Sequence, residues 1–507
     1  MINRLCRQFI RPPPITNAGL RIRSLCKAWT PPVPKPISIL GKEEFCFLNR
    51  KETIRGAVGW NNPRLPKLWL YNLHYHDGLC SNETLNVLKE QVISRWINEN
   101  PFGTGNGWEP YPLSLRIVNW VKWRLSGGSV AGLNESLFQQ AHVLSRSVEY
   151  HLLGNHLFAN AKALIFAGLY FEGDQSRNLL RKGLQILEQE LPEQFLTDGG
   201  HFELSTTYHA TLTEDLLDII NILRAYDQRV SAPLLAAASR AMAWLAVMTR
   251  PDGLPPLFND AAYGTCPMLS DLNQYAYRLG LAVDQKTRGP LIDLPASGYF
   301  RYDGAAYSFW GDAGQIGPDY IPGHAHCDML NFELFAYGRP VVVDTGTSTY
   351  EIGAWRLFER STAAHNTVRL GNYEQSEMWG AFRVGRRAKI VKREVGANWL
   401  RASHNGFKRL GVIHQRSFEF GDRLVQLEDR LLGKSGVTAV ARFHLHPDAR
   451  VKISGNIAQA EGVAFLFSGA TRIGIADYDY APEFNKRVPA KCIEVHFDRH
   501  LTTDIQI

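Results

Sequence analysis

Between about residues 84 and 285 the apolar side chains recur at helical spacing. Leu85-Asn-Val-Leu-Lys-Glu-Gln-Val-Ile-Ser-Arg-Trp96 and Leu113-Ser-Leu-Arg-Ile-Val-Asn-Trp-Val-Lys-Trp123 place them three and four residues apart, which predicts amphipathic helices. The same period predicts further helices over 135–150, 156–171, 176–190, 207–226, 232–248 and 270–280, joined by turns such as Ser126-Gly-Gly-Ser and Thr197-Asp-Gly-Gly. Around eight helices without intervening strands make an all-α region of antiparallel hairpins. The stretch from Ala161 to Tyr170 is apolar on more than one side, which suits two concentric helix layers better than a single bundle.

After Pro290 the period falls to two. Tyr299-Phe-Arg-Tyr, Ala306-Tyr-Ser-Phe-Trp, Phe332-Glu-Leu-Phe-Ala-Tyr, Pro340-Val-Val-Val-Asp, Leu424-Val-Gln-Leu-Glu-Asp429, Ala439–His446 and Ile493–Asp498 read as strands of an antiparallel sandwich. The expected organisation is a basic lead-in over 1–60, a helical domain over 61–288 and a β domain over 289–507. Neither half shows a 20–50-residue repeat or a low-complexity tract.

Composition narrows the function classes. At 507 residues, 45% hydrophobic and 21% charged, the chain is globular and long enough for two or three cores. The net charge of +7 fits an anionic ligand, but no basic stripe or nucleic-acid motif accompanies it, so a nucleic-acid partner is not expected. Twelve Trp and nineteen Tyr suit a carbohydrate cleft, although aromatic side chains also fill cores. The seven Cys are irregularly spaced with no CxxC pair, which argues against a disulfide framework and against a Cys-based zinc site. No uncharged apolar run of 18 residues occurs, so no transmembrane helix is expected. Residues 1–36 carry seven Lys or Arg and no acid. No apolar core of a secretory signal follows them, which leaves the compartment open, with the cytoplasm ahead of the periplasm.

Three polar clusters could carry chemistry. In Leu153-Gly-Asn155-His156-Leu-Phe-Ala-Asn160, an amide and an imidazole stand at a helix start, where the dipole draws an anion; a simple cap is the alternative. In Asp198-Gly-Gly-His201-Phe-Glu203-Leu-Ser-Thr-Thr-Tyr208-His209, Tyr208 is a candidate acid or base, while the Ser and Thr could equally be caps. The third cluster joins Gly323-His324-Ala-His326-Cys-Asp328 to Asp344 and to His365-Asn366. His-x-His on a strand puts both imidazoles on one face, so His324, His326, Asp344 and His365 are four candidate zinc ligands, one of which could be left for a substrate. Buried, hydrogen-bonded histidines are the alternative. The segment Asn106–Arg116, and Trp355-Arg356 with Arg360, are candidates to shape a cleft: Trp108 offers a stacking surface for a sugar ring, and Arg116 and Arg360 offer partners for carboxylate or sulfate.

Taken together, these segments resemble the heparinase II/III-like polysaccharide lyases. The likeness runs in order through Leu70-Tyr-Asn-Leu-His-Tyr75, Gly154-Asn-His156, Asp198–His209, Gly323–Asp328 with Val343-Asp-Thr-Gly346, and Arg360-Ser-Thr-Ala-Ala-His-Asn-Thr367, across roughly residues 60–400. It implies an N-terminal incomplete (α/α) toroid followed by an antiparallel β-sandwich, and cleavage of a uronate-containing polysaccharide by β-elimination. Carried over, Asn155 and His156 neutralise the uronate carboxylate. Tyr208 is the acid, and also the base for one epimer, with His324 the base for the other. His326, Asp344 and His365 hold a single zinc ion that is structural or shapes the site. Trp108, Arg116, His209 and Arg360 are assigned to substrate binding.

The chemistry suits these residue types. Removing the C5 proton of a uronate builds charge on a group already anionic, so donors at the carboxylate act as an oxyanion hole does. No water attacks, so the two carboxylic acids of a glycosidase are not required. The substrate class expected is a glycosaminoglycan such as heparan sulfate, or a bacterial exopolysaccharide. Two other readings remain: a zinc-dependent glycan hydrolase, in which the metal activates water, and a non-catalytic glycan-binding protein of capsule or exopolysaccharide assembly.

Overall fold

The computed structural model describes residues 20–281, 289–434 and 436–507. The first nineteen residues of the basic arm, and 282–288 at the edge of the expected domain boundary, lie outside the described residues. The described chain forms two compact units. One comprises 20–195, 211–239 and 270–281, the other 196–210, 240–269 and the chain from 289 onward.

The first unit opens with a short hairpin, β1 (Glu44–Phe47) and β2 (Arg50–Thr53), and is otherwise helical. Its helices are α1 (Gly56–Gly59), α2 (Lys67–Tyr75), α3 (Asn86–Glu99), α4 (Pro110–Leu125), α5 (Leu133–Arg146), α6 (Gly154–Tyr170) and α7 (Asp174–Gln194). Helices α8 (Thr206–Ala225) and α9 (Ala232–Val247) carry residues of both units, and α10 (Leu269–Arg278) follows. The expected toroid is built on a helix buried almost all round. Every side chain of α6 except His156 is buried, as its apolar sequence requires, whereas α7 buries one stripe that includes Leu179, Ile186, Leu187 and Leu191. Two glycines let these helices touch. A Cβ on Gly168 would stand 2.5 Å from the Leu180 nitrogen, and one on Gly183 would stand 2.8 Å from the Ala161 carbonyl oxygen.

The second unit is the antiparallel sandwich. A five-stranded sheet runs in the order β3 (Leu291–Asp293), β4 (Tyr299–Asp303), β5 (Tyr307–Asp312), β6 (Phe332–Ala336), β7 (Arg339–Val342). The short helix α11 (Ala354–Glu359) and the strand β8 (Val368–Leu370) follow, then a small hairpin, β9 (Glu377–Trp379) and β10 (Arg383–Gly385). A ten-stranded sheet contains β8 together with β11 (Ile390–Val395), β12 (Trp399–His404), β13 (Val412–Phe420), β14 (Leu424–Gly433), β15 (Ala439–His444), β16 (Val451–Ser454), β17 (Ile457–Ala460), β18 (Val463–Glu483) and β19 (Lys486–Gln506).

Period two divides the smaller sheet between two cores. Phe300, Phe309 and Leu334 face the large sheet and meet Phe418, Phe420 and Leu427. Their neighbours Tyr299, Trp310 and Phe335 face the other way and pack with Leu204, Trp244, Met248 and Phe258. Segments 196–210 and 240–269 are thereby held against the outer face of the sheet, which brings Glu203, Tyr208 and Asp260 into this unit. The change of period near residue 290 therefore corresponds to a real change from helices to antiparallel sheet.

Candidate functional site

In the first unit, α6 begins where Leu153 and Gly154 both take positive φ, 58° and 55°. Such a bend is costly for leucine and delivers Asn155 and His156 into the first helical turn. Asn155 is buried and His156 half-buried. The His156 ring stacks on Tyr111 at 4.2 Å between centroids, and its Nδ1 lies 3.3 Å from Glu149. Asn160 fixes that carboxylate, donating from Nδ2 at 3.2 Å and accepting the Glu149 N–H at 2.8 Å. An imidazole and an amide at the positive end of a 17-residue helix can receive a carboxylate. Tyr111 and Glu149 were not singled out by the sequence. Tyr111 lay in the segment around Trp108 without a distinguishing pattern.

Four residues assigned to substrate binding have other work. Arg116 is fully buried. It stacks 3.8 Å from the Trp96 ring and donates to Gln140 Oε1 and to the carbonyls of His74 and Gly107. Trp108 is buried beside Trp96 and Phe102. In the second unit, His209 is enclosed, with Nδ1 accepting the His201 N–H and Nε2 facing the Ala241 carbonyl. Arg360 is buried and donates to the carbonyls of Ala325 and Ala381. These positions correct the expected substrate contacts: each polar side chain holds backbone or a neighbouring side chain, and the indole fills a core.

The second unit brings Tyr208 and His324 together. Their rings lie 4.1 Å apart, and the Tyr208 hydroxyl is 3.3 Å from that of Tyr350. Burial raises the Tyr208 phenol well above its ordinary range; the Tyr350 hydrogen bond opposes this, and the negative charges of Asp260 and Glu203 add to it. His324 has a carboxylate at each ring nitrogen, Asp260 Oδ2 at 2.9 Å from Nδ1 and Glu203 Oε2 at 3.4 Å from Nε2. Asp260 is the hub. Its carboxylate also accepts from His326 Nε2 at 2.8 Å and from both terminal nitrogens of Arg356. Burial alone would raise the Asp260 acid, but Arg356 and the two histidines hold it well below the usual carboxylate range. The backbone is bent here too, with Leu204 at φ 60° and Asn259 at φ 57°. Asn259 cross-ties the segments by donating to the Leu204 carbonyl and accepting from the His326 N–H. Asp260 and Tyr350 carried no local signal, and Arg356, expected to help shape a cleft, instead clamps a carboxylate: Asp260 sits 64 residues from His324 in sequence and 96 from Arg356.

The expected metal residues are neighbours. The rings of His326 and His365 are 5.3 Å apart, and His365 Nδ1 donates to Asp344 Oδ2 at 2.8 Å. Because Asp260 and Asp344 only accept, they hold protons on His326 Nε2 and His365 Nδ1 and leave the opposite nitrogens without a carboxylate. Those two, His326 Nδ1 and His365 Nε2, are buried without a hydrogen-bond partner. Burial lowers His326 to about 4, so its ring is neutral near pH 7. Burial opposes the His365 charge as well, but Asp344 raises this imidazole above its ordinary value, so a metal there would displace a proton. Imidazoles oriented by carboxylates are the donor chemistry that suits zinc. Asp344 also accepts from Asn331 and from the Gly346 N–H, and among the described residues no group of three His, Cys, Asp or Glu is arranged as a ready metal site. Cys327 is buried with its thiol toward the Ser376 carbonyl.

Comparison with known proteins gives the family. The profile of the heparinase II/III N-terminus matches residues 131–279, and that of the heparinase II/III-like C-terminal region matches 286–507. The chain belongs to the heparinase II/III-like family. It is 30% identical over 391 residues to a heparin-sulfate lyase of Bacteroides stercoris, a match that covers 71% of this chain and 55% of that protein. It is 26% identical over 426 residues to FtsZ-localized protein C of Caulobacter vibrioides, covering 76% and 69%. The chain thus spans little more than half the length of the first of these relatives. In fold it is similar to the crystal structure of heparinase III, with a TM-score of 0.68 at 19% identity over 86% of this chain and 76% of that one. It is also similar to a chondroitin AC lyase of Streptomyces coelicolor A3, with a TM-score of 0.54 at 11% identity over 88% and 76%.

Proposed function

We propose that this chain cleaves a uronate-containing acidic polysaccharide by β-elimination. The observation that carries the reading is the Tyr208–His324 pair, in which a phenol kept protonated lies against an imidazole oriented by Asp260. In this reading Asn155 and His156 bind the uronate carboxylate and stabilise the enolate-like charge that forms as C5 loses its proton. His324 takes that proton on Nε2, because Asp260 holds the proton already on Nδ1, and Glu203 Oε2 stands 3.4 Å from that Nε2. Tyr208 gives its proton to the departing O4. For the opposite C5 epimer Tyr208 would have to lose its own proton before acting as base, which its burial opposes. The names of the relatives point to a glycosaminoglycan such as heparan sulfate, and a bacterial exopolysaccharide offers the same uronate chemistry.

His326, Asp344 and His365 would hold a single zinc ion. When bound, it would supply a fixed cation that locks the two imidazoles and thereby the turn bearing His324, which lies between β5 and β6 rather than on a strand.

The test is incubation with heparan sulfate, heparin, hyaluronan, chondroitin sulfate, alginate and bacterial acidic glycans while following the ultraviolet absorbance of the C4–C5 unsaturated uronate. A rise with one polymer, abolished by Tyr208→Phe, supports elimination and names the substrate class. New reducing ends without that absorbance would replace it with hydrolysis. A non-catalytic reading is kept alive by the similarity to an FtsZ-localized protein. Glycan binding with no new ends would select it.

A further inference from the structure

The hairpin formed by β9 and β10 lies beside His324 and is tied to the same charge network. Phe382, in its connecting turn, packs against His324 at 5.9 Å and Tyr350 at 5.2 Å between centroids, yet is 42% exposed. The turn is not loose. The Ala381 carbonyl accepts from Arg356 Nε at 2.9 Å and Arg360 Nη1 at 3.0 Å, and Arg356 is the residue that clamps Asp260. Trp379 is 52% exposed, and its ring lies over Gly385, where a Cβ would come within 2.9 Å of it. One indole face is therefore laid on the hairpin while half the side chain stays open to solvent. Arg383 extends from the turn, exposed. From 377 to 393 the chain carries six basic residues; Arg386, Arg387, Lys392 and Arg393 are ion-paired with Glu377, Asp319, Glu394 and Asp293, which leaves Arg383 as the exposed cation beside the two rings.

We infer that this hairpin is a subsite for an acidic polysaccharide: Trp379 and Phe382 stack on sugar rings next to the reacting uronate, and Arg383 pairs with a sulfate or carboxylate of the same chain. The inference rests on the elimination reading for the identity of the reacting sugar, but it is carried by the anchored, exposed aromatic pair with the exposed Arg383 beside it. Aromatic faces suit the apolar face of a pyranose, and the guanidinium suits the forked geometry of both anions. Two rigid ties from buried arginines mean that the platform is formed before the ligand arrives.

The test uses binding rather than turnover. In the Tyr208→Phe background, affinity for heparan sulfate and for unsulfated hyaluronan oligosaccharides is measured by titration at two ionic strengths. Trp379→Ala is expected to weaken the better ligand about tenfold at both ionic strengths. Arg383→Ala is expected to weaken it about tenfold at low salt and to flatten the salt dependence. A sulfate partner is indicated if Arg383→Ala affects heparan sulfate alone, and a carboxylate partner if it affects both. Unchanged affinity in both variants, or no binding to either polymer, overturns the subsite. Loss of binding in the variants of a chain that proves inactive on every polymer would retain the subsite and remove only the elimination.

Discussion

His324 is held by a carboxylate at each ring nitrogen, and the two have different effects. Asp260 fixes which nitrogen carries the proton, while Glu203 stands at the nitrogen left to react. Replacing Asp260 by Asn keeps the volume but removes the charge that pairs with Arg356 and orients both histidines. The rate of uronate elimination is expected to fall about 10²-fold or more. Because Arg356 is left buried and unpaired, stability is expected to fall by about 3 kcal/mol, read by urea unfolding; wild-type rates in a folded variant would remove Asp260 from the site. Tyr208 gives a second prediction. Burial, with Asp260 and Glu203 adding, raises its phenol above the ordinary value of 10, so the protonated acid persists through neutral and mildly alkaline pH. The ultraviolet difference titration between wild type and Tyr208→Phe should show no tyrosinate from this position below about pH 10, and a step near pH 9 would count against its role as the standing acid. Tyr208 and His324 were visible in the sequence because their motifs are local. Asp260 was not, and neither was the partner of Arg356, because their meaning lies in contacts far apart along the chain. The reverse error befell Arg116, Arg360, Trp108 and His209. Their residue types suit recognition, but nothing local says that these side chains are enclosed.

Strand registry makes a similar buried network inside the sandwich. Arg416 on β13 pairs across to Asp429 on β14, and His404 on β12 stands opposite His414 on β13. Asp429 accepts from His414 at 2.7 Å and from both Nε and Nη2 of Arg416. Burial opposes the Asp429 charge, but Arg416 and His414 lower its acid from 3.8 to about 2. A depressed carboxylate stabilises the fold above its unfolded value and loses that contribution as pH falls toward the folded one. The loss therefore falls between about pH 4 and pH 2 and amounts to about 2 kcal/mol. Urea unfolding at pH 5 and pH 2.5 should show Asp429→Asn less stable than wild type at pH 5, with a smaller further loss at pH 2.5; equal slopes in the two proteins would sink this account. The helices carry a packing prediction. Gly168→Ala puts a methyl group into the Leu180 backbone and should cost about 1–3 kcal/mol, measured by thermal unfolding. Element type was legible throughout these regions, since the 3.6 and 2 periods record which face is buried. Neither the contact between Gly168 and α7 nor the packing of 196–210 and 240–269 on the small sheet has a period to record it.

Across the whole molecule, the family and the order of helical and sheet regions could be read from the chain, because both rest on patterns repeated over many residues. The state of the histidines could not. Three motifs 20–40 residues apart suggested ligands, but only the folded chain shows that Asp260 and Asp344 each take one imidazole N–H and leave the other nitrogen, on His326 and on His365, buried and unpaired. An unpaired buried polar nitrogen costs about 1–3 kcal/mol; on neutral His326 it is a lone pair that a cation would satisfy, and on His365, whose charged form Asp344 favours, a cation would displace the proton. A zinc ion bound only by the folded chain stabilises it according to its occupancy, by about 4 kcal/mol when free zinc is a thousandfold above the dissociation constant. Stripping it with a chelator should therefore lower the melting temperature by about 5 °C or more, and added zinc should restore it. His365→Ala removes one donor, so its melting temperature should already be low and should no longer respond to chelator. Elemental analysis of the purified chain supplies the independent count, with one zinc expected in wild type and none in the variant. A wild-type chain free of metal, whose melting temperature neither chelator nor zinc shifts, would leave the two nitrogens buried without a partner and remove the metal from the site.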